Sequence, residues 1–184
     1  RLDIPFDNIQ KLRSARIYAI KKGYLFDPEW VTGSLTHLDE KFSIKLRLKG
    51  DLPSHWTADT RFSLRVGLKR NKKQNGSQSV LGMRTFSLHK LRTRQFPYEH
   101  IFQDLLAKEG LPSVEHKLVR VIVNGENWGV MDMQEHFSPE MLEKNGLKES
   151  AVLRLSDDRH WLEYSRTQPT CLLYTSDAAD EVLG

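Results

Sequence analysis

Three cations on strand-like segments, Arg47, Lys49 and Arg65, are the first residues that could do chemistry together. In "FSIKLRLKG", Phe42, Ile44, Leu46 and Leu48 share one phase, and Ser43, Lys45, Arg47 and Lys49 share the other. In "RFSLRVGLK", Phe62, Leu64, Val66 and Leu68 alternate with Ser63, Arg65, Gly67 and Lys69. Successive strand side chains point to opposite faces, so each segment is expected to bury one phase and show a basic one. A basic face suits phosphate-bearing partners. The same pattern also describes a dispersed, solvated basic surface, where exposed charges contribute little.

Bulk composition narrows the classes. The chain has 184 residues, 39% hydrophobic and 28% charged. That is ordinary for a globular domain with a real core and argues against disorder. No apolar run approaches the length of a membrane span. The C-terminal "CLLYTSDAADE", Cys171 to Glu181, resembles the translation of a transposon-type sequencing adapter. Residues 171–184 are therefore expected to be a non-biological tail, with residues 1–170 as the natural part and the gene cut near Thr170. The only cysteine, Cys171, goes with that tail, which leaves no disulfide or thiol nucleophile. The formal net charge is +4, and setting aside Asp177, Asp180 and Glu181 makes the remainder still more basic.

Familiar enzyme signatures are absent. There is no Walker A loop, no G-x-G-x-x-G, no H-R-D or D-F-G, no H-E-x-x-H and no nucleophile elbow. The seven histidines are scattered along the sequence, and no His/Cys cluster marks a metal site.

The elements that must position the cations follow from periodicity. Asp7 can cap a helix running to about Lys22, with Gly23 closing it. "WVTGSL" and "FSIKLRLKG" read as strands around a polar turn near Asp39 and Glu40. "RFSLRVGLK" is a third strand, Lys69 to Ser79 a basic loop, and Arg84 to Leu88 a short strand. A helix is expected from Tyr98 to Glu109, with Ile101, Leu105 and Leu106 on one stripe and Gly110 after it. "KLVRVIVNGENWGVMDMQEHF" is a hairpin, because Asn124-Gly125 tolerates the positive φ of a type I′ turn. That turn would set Val121 opposite Trp128, Val119 opposite Val130 and Lys117 opposite Asp132. Asn124 and Gly125 are read as structural, and Trp56 and Trp128 as core or loop anchors. Ser138 caps a short helix with Pro139 at its first position, ending at Gly146. Ala151 to Leu155 reads as a further strand.

In order along the chain, "KLRLKGDLPSHW", "FSLRVGLK", "GMRTFSLH", the helix ending "AKEGL" and "VRVIVNGENWGVMDMQEHF" resemble the CotH family, the spore-coat protein H-like atypical protein kinases. "KLRSARIYAIKKG" and "MLEKNG" fit a bacterial branch of it. The resemblance covers nearly all of residues 1–170. It implies a fold like a diverged kinase N-lobe: α+β, with a twisted, mostly antiparallel sheet and flanking helices. The implied activity is transfer of the ATP γ-phosphoryl group to protein Ser or Thr, with ATP and Mg²⁺ or Mn²⁺ as cofactors. This chain would be the ATP-cradling part, and an exported or cell-surface place would be in keeping. Under that resemblance Arg47, Lys49 and Arg65 hold phosphates, and Glu99 pairs with Arg65. Glu135 lies near the connection to a second lobe. The family's catalytic and Mg²⁺-binding aspartates belong after the hairpin, and neither Asp157 nor Asp158 is assigned either role. No catalytic residue or metal ligand is therefore named, and the fragment alone is expected to be inactive. A different class remains open: a non-catalytic surface or coat interaction module of the same fold. Nucleic-acid binding is disfavoured, because the basic strands lack interleaved aromatics for base stacking.

Overall fold

The computed structural model describes residues 1–50, 52–57, 60–69, 78–148 and 153. The strands are β1 (Leu2–Asp3), β2 (Val31–His37), β3 (Glu40–Leu48), β4 (Leu64–Leu68), β5 (Thr85–His89), β6 (His116–Val123) and β7 (Glu126–Glu135). The helices are α1 (Phe6–Lys22), α2 (Tyr98–Lys108) and α3 (Pro139–Lys144). Short 3-10 turns run from Pro53 to His55 and from Leu91 to Arg94.

The sheet closes. Its strand order is β1-β2-β3-β4-β5-β7-β6, with β6 returning to β1. This corrects the expected fold class: an open α+β sheet resembling a kinase N-lobe gives way to a closed seven-stranded barrel. The closure rests on β1, a two-residue strand. Leu2 pairs antiparallel with Leu35 of β2 and parallel with Val123 of β6. Two residues are too few to show an alternation, so closure leaves no pattern in the sequence. It does remove the two sheet edges that an open arrangement would leave to be protected.

The apolar phases fill the barrel. Ile44, Leu46, Leu64, Val66 and Met131 are fully buried, and Phe86 and Met133 nearly so. Phe62 meets Trp128 edge to face at 5.0 Å. Beside them Arg16 of α1 donates to the Trp56 carbonyl at 2.6 Å and lies 5.8 Å over the Phe62 ring. Both Trp56 and Trp128 are core residues.

Local expectations largely hold, with shifts of a residue or so. α1 begins at Phe6, which puts Asp7 in its first turn, and Gly23 closes it in the left-handed region. The β2–β3 turn uses Leu38 and Asp39, both at positive φ. Ser138 caps α3 by accepting from the Met141 N–H at 3.2 Å. In the long hairpin Asn124 and Gly125 take φ of 49° and 85°, as a type I′ turn requires. Each of the three expected pairs is displaced by one residue, Lys117 facing Met133 instead of Asp132. Val123 faces Glu126 and Ile122 faces Asn127, but Val121 then faces Gly129 and Val119 faces Met131. A bulge makes Trp128 the extra residue. Gly129 absorbs it at φ 74°, and its N–H donates to Asn127 Oδ1 at 3.0 Å. Most of the Lys69 to Ser79 loop, most of Ala151 to Leu155, Asp157, Asp158 and the adapter-like tail lie outside the described residues.

Candidate functional site

The outward phases of five strands build one polar face. Reading across the barrel wall, Arg47 pairs with Arg65, Arg65 with Ser87, Ser87 with Gln134 and Gln134 with His116. In the adjacent row the Lys49 N–H donates to the Ser63 carbonyl, and His89 pairs with Asp132. Cations thus occupy the β3–β4 side and imidazoles and carboxylates the β6–β7 side. The 3-10 turn at Leu91–Arg94 and helix α2 bring Lys90, Arg94, Glu99 and His100 to the same face.

These side chains form a connected network. His89 Nε2 lies 3.0 Å from Lys49 Nζ and 3.1 Å from Gln134 Oε1. Arg94 donates to the same Gln134 oxygen at 3.3 Å. The Gln134 amide nitrogen reaches Glu99 Oε1 at 3.5 Å and His116 Nε2 at 3.4 Å. His116 Nδ1 sits 2.9 Å from Asp132 Oδ2, and His100 Nε2 sits 3.1 Å from Asp132 Oδ1. Beside Lys49, His55 Nδ1 meets Ser63 Oγ at 3.0 Å, and its ring lies 5.2 Å from that of His89.

Gly50 makes this packing possible. A Cβ there would fall 2.0–2.5 Å from three atoms of the His55 ring, and the residue's φ is 102°. Only glycine fits both constraints.

The electrostatics are those of a positively charged face. Burial pushes His55 down to about 3, and Lys49, Arg94 and Lys90 push in the same direction. His89 is driven well below its ordinary value by burial, then by Lys49, His55 and Arg94, against a hydrogen bond to the Gln134 side-chain oxygen. Both imidazoles are therefore neutral at physiological pH, and the positive charge resides on the lysines and arginines. Cations gathered on one face attract anions.

The residues expected from sequence are distributed unevenly over this face. Lys49 lies in the network. Arg65 occupies the middle of the row, directly opposite Arg47. Arg47 itself turns to Trp30, with its guanidinium 4.9 Å from the ring centre, and Lys45 lies 4.7 Å from the same ring. Glu99 reaches Gln134, Gln103 and the neighbourhood of His116, so Gln134 stands between it and the strand cations. Glu135, at the end of β7, is buried and belongs to a different group. Its Oε2 accepts from the Glu115 N–H at 3.1 Å and lies 3.9 Å from Lys144 Nζ.

Sequence reasoning missed His89, Lys90, Arg94, Gln134, His116, His100 and Asp132. The signal for some of them was present: Ser87 and His89 alternate with Phe86 and Leu88, and Asp132 and Gln134 alternate with Met131 and Met133. Polar residues in the outward phase look like solvent-facing positions. Here the covering elements bury Ser87, His89, Asp132 and Gln134.

The family model described as CotH kinase protein matches residues 46–175, from β3 to past the last described element. The chain belongs to this family of kinase-related proteins. No curated protein matches the chain.

Proposed function

We propose that this chain binds ATP through the cationic face centred on Lys49, as part of a CotH-family phosphotransferase acting on protein Ser or Thr. The observation that carries the reading is the convergence of Lys49, Lys90 and Arg94 on the neutral pair His55 and His89. Burial first, and then the charge of Lys49 and Arg94 on both rings and of Lys90 on His55, holds the imidazoles deprotonated. Phosphoryl transfer is mostly positioning and charge stabilisation, and this is the donor set a triphosphate needs. Arg65, one row away on β4, extends the same surface. The donors fit phosphate oxygens. Mg²⁺ or Mn²⁺, which would neutralise phosphate charge when bound, is given no ligand here. The family's catalytic and metal-binding aspartates are expected after the hairpin, so the reading anticipates nucleotide binding without turnover.

The test is titration calorimetry of the 184-residue chain with ATP, alongside Lys49→Ala. Loss of a charge-assisted phosphate contact should weaken binding about tenfold or more. Equal affinity in Lys49→Ala, with an unchanged circular-dichroism spectrum, would remove the site. Phosphoryl transfer by the chain alone with Mg²⁺ or Mn²⁺ would contradict the expected inactivity.

One observation favours the second reading, a non-catalytic interaction module. Helix α2 buries none of its residues and shows Tyr98, Ile101, Phe102 and Leu105 to solvent. A folded chain with no measurable affinity for ATP would favour it.

A further inference from the structure

Helix α2 is held by its polar edge. Its apolar stripe is exposed, yet Glu99 and His100 reach Gln134 and Asp132 of β7, and Gln103 accepts from the Val114 N–H just before β6. The contact at His100 is unusual. His100 Nε2 is sealed from solvent and makes no hydrogen bond among the described residues, although Asp132 Oδ1 is only 3.1 Å away. The two atoms are close without the alignment that an N–H donor needs. On the other side of the same carboxylate, His116 Nδ1 lies 3.0 Å from Oδ1 and 2.9 Å from Oδ2. The rings of His100 and His116 are 4.6 Å apart.

Two imidazole nitrogens and one carboxylate oxygen thus come together from three separate elements, with the ligand atoms all within 4.8 Å of one another. Donors bound to one zinc ion at about 2.0–2.2 Å lie roughly 2.9–3.5 Å apart, for bond angles from a right angle to the tetrahedral value. The distances to Asp132 fall in that range. The environment also suits an ion. Asp132 and His116 side chains are 2% and 3% exposed, and the His100 side chain is 20% exposed. His116 Nε2, its other nitrogen, faces Gln134 at 3.4 Å and Glu99 at 4.0 Å, groups of the kind that orient a ligating imidazole.

We propose that His100, His116 and Asp132 form a binding site for a divalent first-row transition ion, Zn²⁺ being the best match, which staples α2 to β6 and β7. Three protein ligands leave a coordination position open to water. Because Glu99 sits one residue before His100, the staple also fixes the acidic edge of the Lys49 network. The ion site does not depend on the nucleotide reading.

The experiment uses the chelator-treated 184-residue chain. It is titrated with Co²⁺, followed by visible absorption, and with Zn²⁺, followed by calorimetry and thermal melting. One equivalent should bind, with intense d–d bands and a raised Tm. His100→Ala, which removes a partly exposed ligand, should weaken Zn²⁺ binding about 100-fold or more and abolish the Tm shift. Asp132→Asn should do the same where it folds. Lys49→Ala should bind Zn²⁺ as the unaltered chain does, so loss of ATP binding there leaves the ion site standing. No Zn²⁺ binding, or equal binding by His100→Ala, overturns the proposal.

Discussion

His55 and His89 carry the clearest chemical consequence of any residues in the molecule. Burial, reinforced by Lys49, Arg94 and other neighbours, lowers both. A histidine whose folded pKa is depressed takes up its proton in the unfolded chain first. Between its unfolded value of 6.5 and the folded value, the unfolded state binds more protons, so stability falls as pH falls. For His55 that window runs from 6.5 to about 3. Glu115 adds to the loss only at lower pH. Burial works to raise its carboxyl, but hydrogen bonds and charge from Lys117 and Lys144 leave it below 4.5, so its stabilisation disappears as pH drops through the carboxylate range. The interval from 6.5 down to 4.5 therefore reports histidine. Urea midpoints measured across it should decline with about 1.4 kcal/mol per pH unit for each buried imidazole. His55→Gln should flatten that decline by about one proton's worth. A flat profile in the unaltered protein would show that the imidazoles are not held neutral.

Among the elements, the β6–β7 hairpin does more than bring polar residues to one face. Its turn residue Asn124 acts as a surrogate strand edge. Asn124 Oδ1 accepts from the Ile4 N–H at 2.7 Å, its Nδ2 donates to the Ile4 carbonyl at 2.8 Å, and its own N–H donates to the Leu2 carbonyl at 2.9 Å. The amide thereby extends the seam that a single β1–β6 pair begins. Its φ of 49° adds a conformational demand that asparagine meets better than alanine. Asn124→Ala should cost about 2–4 kcal/mol, from two lost hydrogen bonds and backbone strain. Asn124→Gly removes the bonds but keeps the turn, and should cost less. Equal losses in chemical denaturation would assign the whole effect to the amide, and no loss in either would show that the seam does not depend on it. The register carries a related lesson. The turn chemistry of Asn124-Gly125 was readable, but the bulge at Trp128 was not. Gly129 was visible as a glycine, while its role depends on Trp128 finding Phe62 inside the barrel.

At the scale of the whole molecule, closure is the decisive feature. Leu2 and Ile4 are 2% and 4% exposed and belong to the main core. Deleting Arg1 to Ile4 should remove the seam strand and its buried side chains, costing about 3–5 kcal/mol from apolar burial alone. Hydrogen exchange should then accelerate along β2 and β6, the newly exposed edges. Unchanged protection of both strands would show that the barrel does not need β1. The sequence by itself determined the local alternation that divides core from polar face, the Asn-Gly turn, the helix ends and the family resemblance, because each depends on residues close together in the chain. Only the tertiary structure decided that the sheet closes, that Lys49 meets His89 and Gln134, and that His100, His116 and Asp132 surround one point. Those contacts join segments distant in sequence, and their geometry is set by strand pairing and packing, which no local periodicity records.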